Sequence, residues 1–121
     1  MNLVWVAAAQ SSVRLPGSYL SPTVNLTGVD WSREAVVIVD MGEQRTGGYS
    51  VAVRSVRVQA PNRVELHLEV QRPGPGVMVT QALTHPYAVA RIPLAGLSEG
   101  PVALVAFDQA GTEVARRVVI R

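Results

Sequence analysis

Val64-Glu65-Leu66-His67-Leu68-Glu69-Val70 decides the fold class. Apolar side chains fall on alternate residues, with Glu65, His67 and Glu69 between them. A period of two belongs to an extended chain, whose successive side chains point to opposite faces. The stretch therefore predicts a strand with one face in a core and one in water, the pattern of an antiparallel sheet. Pro61-Asn62-Arg63 marks a turn just before it, so Tyr49–Gln59 is the expected hairpin partner. In that partner the apolar phase slips, with Val51 and Val53 in one phase and Val56 and Val58 in the other. A bulge near Arg54-Ser55 repairs the slip, because one extra residue returns the second pair to the first face.

Upstream, Ala35–Met41 holds Val36, Val37, Ile38 and Val39 without a polar break. The run is too short for an unassisted helix and rich in β-branched residues, so it predicts a buried central strand. Leu3–Ala9 and Ser12–Leu20 are expected to be extended, with breaks at Pro16-Gly17 and Ser21-Pro22-Thr23. Asp30 ahead of Trp31-Ser32-Arg33-Glu34 has the form of a helix N-cap and predicts a single helical turn. Downstream, Pro73-Gly74-Pro75-Gly76 is a loop. Val77–Thr84 and Tyr87–Ile92 are predicted strands separated by His85-Pro86, and Leu94–Pro101 is a connection. Val102–Phe107 and Thr112–Ile120 form a last hairpin around Asp108-Gln109-Ala110-Gly111. The expectation is one all-β domain over residues 1–121. It is an antiparallel β-sandwich or partly closed barrel of about eight or nine strands, with at most one short helical turn near residues 30–34.

A chain of 121 residues is long enough to bury most of its apolar surface without a staple. It contains no cysteine, which removes disulfides and thiolate metal sites. All 11 basic side chains are arginine and the net charge is only +2. That is a weak footprint for nucleic acid, which is not an expected partner. No apolar stretch has the length of a membrane-spanning helix. Leu3 to Gln10 carries an Ala7-x-Ala9 pattern like a signal-peptide cleavage site, but lacks the positively charged lead and the long apolar run of a complete signal. A first strand is expected there rather than a signal remnant.

The residue types that carry chemistry are scattered. His67 lies on a polar strand face between Glu65 and Glu69, and neighbours on such a face are about 7 Å apart, too far for tight chelation. His85 precedes Pro86 and has no second histidine near it in sequence. Ser50 is outside any nucleophile-elbow motif, and no spacing ties Asp40 or Asp108 to a histidine. The glycines Gly42, Gly47 and Gly48 lack the Lys-Ser/Thr pair and following helix of a phosphate loop. Arg54, Arg57 and Arg63 fit a solvated sheet edge. No catalytic residue, metal site or cofactor is expected, so the chain is not expected to be an enzyme.

Met41-Gly42-Glu43-Gln44-Arg45-Thr46-Gly47-Gly48-Tyr49-Ser50 is the most informative loop. Adjacent glycines point to backbone angles that a side chain tolerates poorly. A turn that sets strand register explains them, and so does a rigid loop that presents Arg45, Thr46 and Tyr49 at one end of the sheet frame. Arg45, Thr46, Gly47, Gly48 and Tyr49 form the candidate binding loop.

Several blocks around this loop resemble the PrcB C-terminal domain family. They are Val29-Asp30-Trp31-Ser32, the strand Val36–Val39, Gly42-x-x-x-Thr46-Gly47-Gly48-Tyr49-Ser50, Pro73 to Gln81, and Pro86-Tyr87 with Val89. Together they span about residues 29–93. The family commonly has proline where this chain has Arg45. The resemblance implies an accessory subunit that assists assembly or stability of a secreted, subtilisin-like protease. It implies a protein partner and the extracytoplasmic setting typical of the family, and carries over no catalytic residues. Thr46-Gly47-Gly48-Tyr49 is also similar to the Thr-Thr-Gly-Tyr loop of chagasin-type peptidase inhibitors, although the Arg-Pro-Trp element of those inhibitors is missing. That likeness implies two further loops at the same end, and gives Pro73, Gly76, His85, Pro86 and Tyr87 as a secondary rim. A small enzyme or ligand-binding β domain is the remaining alternative. Partner identity and oligomeric state have no signature in the sequence.

Overall fold

The computed structural model describes residues 1–121. It contains nine strands and no helix: β1 (Asn2–Val6), β2 (Ser12–Arg14), β3 (Thr23–Asn25), β4 (Glu34–Asp40), β5 (Ser50–Gln59), β6 (Arg63–Gln71), β7 (Tyr87–Pro93), β8 (Pro101–Phe107) and β9 (Glu113–Ile120). They form three sheets in the orders β1-β4-β7, β2-β3 and β5-β6-β8-β9. The first and third sheets face each other as a sandwich.

The alternation in β6 does what its period requires. Val64, Leu66, Leu68 and Val70 are buried, while Glu65, His67 and Glu69 are only partly covered. β5 pairs with β6 antiparallel from Ser50↔Gln71 to Gln59↔Arg63, and the register shifts between Val53 and Ser55. Arg54 is the additional residue, at the site where the phase slip demands it. As a result Val51, Val53, Val56 and Val58 all pack on the same core cluster.

β4 is the central strand of its sheet, antiparallel to both β1 and β7. Its unbroken apolar run is explained by two covered faces. Val37 and Val39 join Leu3, Leu66, Leu68, Ile92 and Leu104 between the main sheets. Val36 and Ile38 face the other way, into a second cluster with Val6, Leu15, Val24 and Leu26. The β2–β3 hairpin supplies that second cover.

Three features differ from the expectations, while the Asp30 turn stays within the one short turn expected. Residues 12–20 hold a strand only at Ser12–Arg14, and its partner Thr23–Asn25 is a strand where a break was expected. The Asp30 turn is capped but does not become a helix: Glu34 N–H donates to Asp30 O at 2.8 Å, and Asp30 Oδ1 accepts from Ser32 N at 3.2 Å. The chain then enters β4 at once. β6 and β8 are parallel, from Arg63↔Ala103 to His67↔Phe107, in an otherwise antiparallel fold. Val77–Thr84 is not a strand. It is held on one side only, by Gly47 N to Thr80 O at 2.9 Å and a bridge between Gln44 and Thr84. Its apolar residues have no core to face, since Val77, Met78 and Leu83 are exposed.

Candidate functional site

At one end of the sandwich, the chain leaving β4 and the chain entering β7 run side by side in opposite directions. Met41 N donates to Pro86 O at 3.0 Å, Gln44 and Thr84 exchange backbone hydrogen bonds, and Gly47 N reaches Thr80 O. Thr84 Oγ1 adds a bond to Thr46 O at 3.0 Å. These contacts knit residues 40–48 to a strap formed by residues 73–86. The candidate loop and the secondary rim are thus brought together.

Gly48 is where the two segments touch most closely. Its φ is +88°, and a methyl group placed there would lie 3.0 Å from Val79 Cγ1 and 3.2 Å from Pro73 Cβ. Both backbone angle and space call for glycine. Gly47 is different: its φ is outside the left-handed region and its nearest neighbour, Thr80 Cβ, would be 3.6 Å from an added methyl. Gly76, at φ +74°, follows Pro75 in a turn closed by Val77 N to Gly74 O at 3.2 Å. Proline then glycine at the two central positions is the pairing of a type II turn. Arg45 is exposed at the tip of its loop and forms no ion pair, and Tyr49 is half-buried just before β5.

His85, expected in the secondary rim, is instead a buried anchor. Its side chain is 2% exposed, and Nε2 lies 2.6 Å from Asp40 Oδ1 at the end of β4. The same carboxylate oxygen accepts the Gly42 N–H at 2.8 Å. One Asp40 oxygen therefore fixes both the loop and the strap. His85 Nδ1 is buried without a partner. Pro86 supplies the carbonyl to Met41, and Tyr87 opens β7, partly exposed, opposite Asp40 in the register.

The other polar groups remain separate. Ser50 Oγ bonds Gln71 Oε1 at 3.3 Å. His67 lies on the outer sheet face, 3.3 Å from Glu65 Oε2 and stacked on Phe107 with ring centres 5.6 Å apart. Glu69 is taken up by Arg54 at 3.1 Å. Ser50, His67 and His85 do not converge.

A hollow of about 770 Å³ adjoins the strap, lined among others by Gly48, Glu69, Arg72, Val77, Thr80 and Gln109. The sequence placed Gln109 only in a hairpin turn. Its side-chain amide in fact makes two bonds to one residue of β6: Oε1 accepts from Val70 N and Nε2 donates to Val70 O, each at 2.8 Å. These groups are 39 residues apart, so no local pattern announces the contact.

The PrcB C-terminal family matches residues 35–93. This is the family that the sequence blocks resemble. The PrcB C-terminal match begins at β4 and ends with β7, so it contains the whole knitted rim, while β1–β3, β8 and β9 lie outside it. Val29-Asp30-Trp31-Ser32 also lies outside it. No curated protein and no solved structure matches the chain. No helix is long and apolar enough to cross a membrane.

Proposed function

We infer that the chain is a non-catalytic, protein-binding accessory domain of the PrcB type, which assists assembly or stability of a secreted protease. The observation that carries this reading is the coincidence of the family match with the knitted rim. Arg45–Tyr49, Pro73, Gly76 and His85–Tyr87 all fall within residues 35–93. A rim whose two segments are already bonded to each other through their backbones loses little conformational freedom when a partner docks, which favours recognition by surface contact. The exposure of Arg45 and the half-burial of Tyr49 support contact through this loop.

The test is affinity capture from the native host, with the wild-type chain beside Arg45→Glu and Tyr49→Ala. A peptidase recovered by the wild type and lost with Arg45→Glu is the expected result. Failure to recover any peptidase overturns the reading. Inhibition of the recovered peptidase by the chain, relieved by Tyr49→Ala, would replace assembly with the inhibitor alternative.

A further inference from the structure

The parallel ladder between β6 and β8 ends at His67↔Phe107, but β6 continues to Gln71. Beyond that point β8 has turned away through Asp108–Thr112, closed by Asp108 N to Thr112 O at 2.9 Å. The backbone of β6 at Val70 consequently faces a gap on this side. An open strand edge of this kind is normally paired or blocked. Here Gln109 blocks it, with its amide bonded to both the N–H and the C=O of Val70.

A carboxamide presents an acceptor and a donor side by side, like the backbone groups of a neighbouring strand residue. Gln109 therefore occupies the place of a peptide unit in a strand that is not there. The hollow continues from this point between β6 and the strap. Val77 and Met78, 58% and 97% exposed, flank it and offer apolar contact to alternate side chains of an added strand. The charge is also one-sided. Glu69 is neutralised by Arg54, whereas Arg72, which lines the same hollow, has no acidic partner.

We propose that this edge is a strand-addition site: an extended segment of a partner protein, carrying an acidic side chain opposite Arg72, pairs with β6 at Val70 and displaces the Gln109 amide. Main-chain bonds supply the register, and Arg72 with the flanking apolar groups supplies selectivity. The inference rests on the accessory-domain reading and names the kind of segment the partner would offer.

The probe is a library of displayed twelve-residue peptides selected against the full chain. The expected binders are extended and acidic. Their bound form shifts and protects the Val70 amide in NMR spectra. Methylating alternate peptide nitrogens in the binder abolishes affinity, while methylating the others does not. Gln109→Ala removes the competing amide and tightens binding by about thirtyfold, the worth of two net hydrogen bonds at roughly 1 kcal/mol each. Arg72→Glu weakens an acidic peptide and is rescued by changing the peptide's acid to lysine. Absence of any binder overturns the proposal, as does binding that leaves Val70 unperturbed or is indifferent to peptide N-methylation. Pairing of two copies through Val70, seen as concentration-dependent dimerisation, would overturn the choice of a foreign segment. In the capture experiment, peptidase recovery that is lost with Arg45→Glu but unchanged with Arg72→Glu would keep the accessory reading and remove this site. Loss of recovery with neither variant would leave the recovered peptidase unconnected to either surface and overturn both.

Discussion

Two adjacent glycines have opposite standing in the rim. Gly48 combines φ +88° with contacts to Val79 and Pro73, so Gly48→Ala forces a left-handed alanine into a filled space. It is expected to cost about 1–2 kcal/mol. Gly47→Ala meets ordinary contact distances and is expected to change stability by less than about 0.5 kcal/mol. Denaturant unfolding of the two variants tests this, and equal losses would mean that the contact at Gly48 is not the constraint. Asp40 is the other residue on which the rim turns, because its Oδ1 serves both His85 and Gly42. Asp40→Ala leaves a buried histidine without a protein partner and should cost about 2–3 kcal/mol. Asp40→Asn retains an acceptor and should cost less. If alanine and asparagine unfold at the same denaturant concentration, the buried pair is not what holds the strap. The need for glycine was legible in the sequence and holds at Gly48 but not at Gly47, whereas the Asp40–His85 pair was not legible. The partners are 45 residues apart, and neither sits in a motif.

Patterns read best where an element meets its neighbours in a regular way. β6 alternates because one face is wet, and β4 is apolar throughout because two different layers cover it. Ile38 lies in the smaller cluster at 0% exposure. Ile38→Ala should therefore cost about 2–5 kcal/mol even though that side chain never touches the opposing main sheet. A loss below 1 kcal/mol, roughly that of a conservative trimming such as Ile→Val, would show that the β2–β3 cover is energetically idle. Val77–Thr84 defeated the same reasoning because β-rich composition records fitness for a pleated surface, not whether one is present. The parallel pairing of β6 with β8 was equally illegible, since register between distant strands leaves no mark on either. The β8–β9 hairpin was legible, and it carries a pH signature. A hydrogen bond from Arg116, at 2.7 Å, holds the exposed Glu113 carboxyl below its ordinary value of 4.5. The folded state thus favours the ionised carboxylate. The stabilisation is present above the ordinary value and is lost as pH falls through the lower folded one. NMR titration should show Glu113 returning toward 4.5 in Arg116→Ala, and an unchanged midpoint would mean the bond does not persist in solution.

The whole molecule is a sandwich whose two main sheets approach each other along both sides, β5 beside β7 and β1 beside β9. Neither seam has a backbone ladder, and the second carries little strand contact. It is spanned instead by Arg117, which reaches across from β9 and donates from Nη1 to Leu3 O at 2.7 Å. A charged side chain in this place satisfies a carbonyl of β1 while keeping the edge of β9 from pairing with another chain. Arg117→Ala should lower stability by about 1.5–3 kcal/mol, the range for a hydrogen bond to a charged group. The loss should also be local. Amide exchange should accelerate across β1, which depends on this seam and on β4, while the β5–β6 hairpin on the far side keeps its protection. Equal acceleration in β1 and β6 would show that the sandwich opens only as one unit. Unchanged exchange in β1 would show that β4 alone holds it. The distinction bears on the rim, because its 40–48 segment grows directly from the end of β4. If β1 can loosen independently, a disturbance at the β9 edge can reach the rim through β4 without unfolding the hairpin that carries Val70.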